Sequence, residues 1–164
     1  LPLVRAAHPD AILRLVGSRP TSAVRELASL PGVEISGFVD DYDGEFLKAT
    51  VVVAPASDEA GVLLKALKAF SAGAPTVINS PAAESLGAED RQHALVANSD
   101  AEMAAAIVRL LQDDDLSARI GQSGRELVAS SWTWESCASS YVSAWSRAIE
   151  RAHAHQRSQA SARH

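Results

Sequence analysis

Thr50-Val51-Val52-Val53-Ala54 is a nearly all-apolar run in which every residue but the last is β-branched. Such a run predicts a central parallel strand, buried on both faces of a sheet. The segments around it alternate in the same sense. Ala11 to Val16 reads as a strand ending at Gly17-Ser18-Arg19-Pro20, and Thr21 or Ser22 can cap a helix through Leu30 with Val24, Leu27 and Leu30 on one stripe. Pro31-Gly32 breaks that helix, and Val33 to Ser36 alternates as a second strand. An acidic loop at Asp40 to Asp43 precedes a short helix over Glu45 to Ala49.

Beyond the central run, Ser57-Asp58-Glu59 supplies cap and first-turn signals for a helix to about Ala72, which Gly73 stops. Pro75 to Ile78 and Ala94 to Ala97 read as further strands, and from Ser99 onward the pattern is helical. Trp134, Tyr141 and Trp145 recur at i, i+7 and i+11 on a last helix beside Cys137, and are read as core packing, with the thiol buried and inert. After Arg151 the periodicity is lost. The expected organisation is one domain over 1–150 and a frayed tail over 151–164. Strands alternating with helices predict a parallel sheet with helices on both faces, an α/β fold. Ligands of such sheets sit beyond the carboxyl ends of the strands, here Gly17, Gly37-Phe38, Ala54-Pro55-Ala56 and Asn79-Ser80.

Composition excludes several classes. A chain of 164 residues with a net charge of −5 carries no electrostatic footprint for nucleic acid. One cysteine excludes an internal disulfide and suits a reducing compartment, so a cytoplasmic location is expected. The five histidines are dispersed, and no metal site is expected. Ser57 and Ser80 lack a GxSxG elbow, and neither GxGxxG nor GxxxxGK[ST] occurs. The sequence begins with Leu1, and Leu1 to His8 already reads as helix, so a piece of a longer protein is expected.

The informative stretch is Ala54 to Ile78, APASDEAGVLLKALKAFSAGAPTVI. Lys65 and Lys68 lie three residues apart, which puts both ammonium groups on one helix face. Gly61 would let a ligand approach the backbone. By spacing alone, a solvent-facing helix with two ordinary surface lysines is the favoured reading.

The order of motifs is more specific: GSRP after a strand, GVEISGFVDD, APxxxxxGxxxKxLxAxxxGxPxVI, HALVA and a late SWTW. Over residues 1–146 it resembles the C-terminal half of GT-B glycosyltransferases, in particular the retaining group 1 type. The resemblance implies a three-layer αβα, Rossmann-like domain that binds a UDP- or GDP-sugar, with no further cofactor. Gly17 would face the nucleotide, the backbone at Phe38 and Val39 would touch the base, and the helix starting near Glu59 would aim its amides at the diphosphate. Gly61 and Val62 would lie close by, and Lys65 would sit near the phosphates or sugar. Lys68 stands where the family usually has a glutamate holding the ribose hydroxyls, and Ala60 where a partner acidic residue is usual. No residue is read as catalytic.

The implied partner is an N-terminal acceptor domain missing from this chain, towards which the last helix would cross. Part of that helix is therefore expected to be exposed here and to drive self-association of the isolated domain. The longer enzyme would act in the cytoplasm or at the membrane periphery, in polysaccharide biosynthesis. Two other readings are a scaffold that kept the fold without the chemistry, and half of a sugar-nucleotide epimerase.

Overall fold

The computed structural model describes residues 1–56 and 63–161, with side chains to Ala152. Its elements run α1 (Pro2–Ala7), β1 (Leu13–Val16), α2 (Ser22–Glu26), β2 (Val33–Gly37), α3 (Tyr42–Lys48), β3 (Val52–Val53), α4 (Leu64–Ala72), β4 (Thr76–Ile78), α5 (Ser80–Leu86), β5 (Leu95–Val96), α6 (Asp100–Gln112), α7 (Asp114–Ser131) and α8 (Trp134–Ser161). Residues Leu1–Leu127 form one compact unit and Val128–His164 a second.

All strand pairing is parallel. β1 pairs with β2, and β3-β4-β5 form a second sheet with β4 in the middle. Helices flank the strands, and the first unit is an α/β fold of the Rossmann-like type. Local chemistry explains most boundaries. Thr21 caps α2 by accepting from the Val24 amide. A 3-10 turn at Leu27–Ser29 follows, and Leu27 and Leu30 are exposed, so the expected apolar stripe is not a buried one. Gly73 ends α4 in the left-handed conformation, at φ +72°. Ser99 and Glu102 form a reciprocal capping box at the start of α6.

The core lies on β4 and β5. Val77, Leu95, Ala97, Leu110, Leu116 and Ile120 form a buried cluster, with Val51, Met103, Ala106 and Ile107 packed against it. All three residues of β4 are buried. The run at Val51 to Val53 departs from expectation. Among the described residues β3 pairs on one side only, with β4, and Val53 is 37% exposed. A β-branched run specifies extended backbone, but strand order is a property of the whole fold, and it assigns the centre to β4.

The second unit corrects two further expectations. Trp134 is 89% exposed and Tyr141 and Trp145 are exposed with Val142 and Ile149, so the aromatic stripe is not core. Cys137 is half-buried rather than sealed inside. Periodicity reports an amphipathic face and is silent on what covers it. α8 also continues past Arg151 to Ser161, through a segment free of Gly and Pro. Among the described residues no helix is long and apolar enough to cross a membrane.

Candidate site at the carboxyl ends of the strands

The exits of β1 and β2 lie side by side. A register shift between Leu15 and Val16 brings Val16 opposite Gly37, and the Gly17 amide donates to the Gly37 carbonyl at 3.2 Å. Gly37 has φ +66°, a left-handed turn that costs glycine little. The chain therefore swings out, leaving Phe38 76% exposed and Val39 half-buried. A Cβ added at Gly17 would meet nothing within 4 Å, so the backbone there is open to a ligand. A small depression of about 120 Å3 beside it is walled by Leu15, Val16, Pro20, Val24 and Ile35. Gly17, Phe38 and Val39 are thus gathered at one edge, as their sequence positions suggested.

The exits of β3, β4 and β5 are stitched by two asparagines. Asn79 Oδ1 accepts from the Ala56 amide at 2.9 Å, and Asn79 Nδ2 donates to the Ala56 carbonyl at 2.7 Å. Asn98 Oδ1 accepts from the Ser80 amide at 2.9 Å. Sequence reasoning placed Asn79 at a strand exit without giving it a role. Its signal was a lone amide side chain directly after a short β-branched strand and before Ser80-Pro81, the signature of a helix cap.

Glu59, Gly61 and Val62 lie outside the described residues. The helix expected from Ser57 onward is described from Leu64, and Leu63 is non-helical with φ −85° and ψ 85°. Lys65 is consequently a first-turn residue, exposed, and no ion-pair partner stands beside it among the described residues. Lys68 is placed differently. Its Nζ donates to Asp43 Oδ1 and lies 5.7 Å from the centre of the Tyr42 ring. The two lysines share a helix, but one of them is held by α3.

The acidic loop has structural tasks. Asp41 Oδ1 accepts from the Gly44 amide at 2.8 Å and caps α3, while Asp43 takes Lys68. Among the described residues no three His, Cys, Asp or Glu side chains converge as metal ligands. α3 is also anchored to the first sheet, where Arg14 Nε donates to Glu45 Oε2 at 2.6 Å and Arg14 Nη1 reaches Glu34 at 3.3 Å. The hydrogen bond from Arg14 holds the Glu45 carboxyl below the usual value near 4.5, and the same bond raises Arg14.

A broader, open depression of about 540 Å3 lies between α5 and β5, lined in part by Glu84, Glu89 and Asp90. Three carboxylates there repel an anionic ligand.

The family model for group 1 glycosyl transferases matches residues 1–113. No curated protein matches the sequence. Among solved structures, the chain is similar to a point mutant of S. aureus TarM solved with fondaparinux, alpha-GlcNAc-glycerol and UDP, at a TM-score of 0.70 and 18% identity over 86% of this chain. It is similar to sucrose-phosphate synthase of Thermosynechococcus elongatus at 0.67 and 24% over 92%. It also resembles the C-terminal domain of LpcC, a group 1 family protein of Francisella tularensis, at 0.56 and 20% over 68%. The chain spans 30%, 42% and 60% of those three chains respectively.

Proposed function

Because this chain belongs to the group 1 glycosyl transferases, we propose that it is the nucleotide-sugar-binding half of a retaining enzyme. That enzyme would pass a hexose-type sugar from a UDP- or GDP-sugar to a glycan or lipid-linked acceptor. The observation that carries the proposal is the pairing of an open backbone at Gly17 with the exposed Phe38 at one carboxyl edge, within the residues matched by the family. UDP in the TarM structure supports a nucleotide ligand for this fold.

In this reading the base lies against the Phe38–Val39 backbone and Gly17 faces the nucleotide. Glu59, Gly61, Val62 and Lys65 attend the diphosphate and sugar. The positive end of α4 and the Lys65 ammonium offset the charge that builds on the departing diphosphate. Transfer needs donor and acceptor held together with water excluded. The acceptor side belongs to a second domain, so the 164-residue chain alone transfers no sugar.

The engagement of Lys68 by Asp43 favours one other reading, a scaffold that kept the fold without the chemistry. An ammonium cannot accept from ribose hydroxyls. Calorimetric titration with UDP and GDP, beside a transfer assay with UDP- and GDP-sugars, separates the two. The donor-half reading expects nucleotide binding without turnover. Absence of binding favours the scaffold, and turnover by this chain alone overturns the two-domain scheme.

A further inference from the structure

We infer that Arg19 holds a phosphate of the nucleotide at the exit of β1. The inference rests on the donor-half reading above, which gives Arg19 no part.

Arg19 stands at φ +55°, in the left-handed region that glycine enters freely and a side chain enters at a steric cost. Pro20 follows, and restricts the backbone of the residue before it further. The loop keeps this conformation because both of its ends are fixed. Gly17 donates its amide to the Gly37 carbonyl at 3.2 Å, Pro20 walls the small depression, and Thr21 caps α2 through the Val24 amide. Strain imposed from both sides gathers where ligands are held.

Arg91, at φ +60°, is the other described non-glycine residue with positive φ. Its turn is explained locally. The Arg91 amide donates to the Ala94 carbonyl at 2.7 Å, and its guanidinium lies 3.6 Å from Asp90. Arg19 has no such account. Its side chain is exposed, and among the described residues no hydrogen bond or ion pair engages it. At the neighbouring exit of β2, Asp41 is taken up in capping α3 and Asp43 in holding Lys68.

A guanidinium has five N–H donors and no acceptor, stays charged, and matches two phosphate oxygens with its fork. The diphosphate is the anionic part of a nucleoside diphosphate. Two Cα steps of about 3.8 Å keep Arg19 within roughly 8 Å of Gly17, a span that an arginine side chain covers. At Gly17 an added Cβ would meet nothing within 4 Å, so the guanidinium and the open backbone serve one ligand.

The test is UDP affinity of the 164-residue chain and its Arg19→Gln, Arg19→Gly and Arg91→Gln variants, at about 0.05 and 0.5 M salt, with melting temperatures alongside. Support is a rise in Kd of tenfold or more in both Arg19 variants at the lower salt, a smaller gap at the higher salt, and Arg91→Gln within twofold of wild type. Arg19→Gly should melt no lower than wild type, since glycine relieves the turn, and a lower melting temperature overturns the argument from strain. Folded Arg19 variants that bind UDP as wild type does overturn the inference and leave the donor reading standing. A loss equal at both salts, or one shared by Arg91→Gln, also overturns it, because neither marks a phosphate held at Arg19. A wild-type chain that binds neither UDP nor GDP overturns both.

Discussion

Lys68 Nζ is ion-paired with Asp43, so the helix after β3 is tied to the helix after β2. The pair is exposed, and such pairs are worth roughly 0.2–1 kcal/mol. Lys68→Glu sets two carboxylates together and should cost about 1 kcal/mol, which adding Asp43→Lys should restore in a denaturant melt. The double variant Lys68→Glu, Asp43→Asn tests the ribose assignment. A carboxylate returned to that position, free of Asp43, should tighten UDP binding about tenfold through charged hydrogen bonds. Unchanged affinity in a folded double variant means that Lys68 does not face the ribose.

The β-branched strands β3 and β4 should respond unequally. Ile78 on β4 is fully buried, and Ile78→Ala should destabilise by about 2–5 kcal/mol. Val53 on β3 is partly exposed, and Val53→Ala should cost under about 1 kcal/mol. Equal losses in chemical unfolding would place β3 in the core after all.

Glu45 makes stability depend on acid. Its carboxyl titrates lower in the folded chain than near 4.5, so the Arg14 pair stabilises above that value. That contribution is lost as pH falls through the depressed folded value. The melting-temperature gap between wild type and Glu45→Gln should therefore narrow from about pH 6 to about pH 3. A constant gap would show that the carboxylate charge contributes nothing.

α7 depends on a glycine at its contact with the α4 terminus. A Cβ at Gly121 would collide with the Gly73 carbonyl oxygen, a backbone atom that cannot move aside cheaply. Alanine gains about 1 kcal/mol of helix propensity over glycine, yet the clash should outweigh it. Gly121→Ala should lower the melting temperature by several degrees, at roughly 2–4 °C per kcal/mol for a domain of this size. A stabilised variant would contradict this packing.

The alternation of strands and helices was readable because Gly73, Pro31-Gly32 and Ser99 mark boundaries with local chemistry. The exits at Gly17 and Phe38 followed from those boundaries. Strand order did not, since Val51 to Val53 and Thr76 to Ile78 look alike as runs and differ only in their neighbours. The fates of Lys65 and Lys68 were equally hidden. Their spacing is symmetric, and Asp43 lies 25 residues away in sequence from the lysine that it holds. Asn79 was visible only as a strand-exit position, because its grip on Ala56 depends on a partner 23 residues distant.

In the proposed reading the carboxyl edge of this domain binds a nucleoside diphosphate. Nitrogen-15 spectra of the 164-residue chain titrated with UDP and GDP test it most directly. Saturable shifts are expected at Gly17, Phe38, Val39 and Lys65, with Glu84 and Asp90 in the acidic depression unmoved. Shifts confined to the acidic depression, or none at millimolar nucleotide, would contradict it.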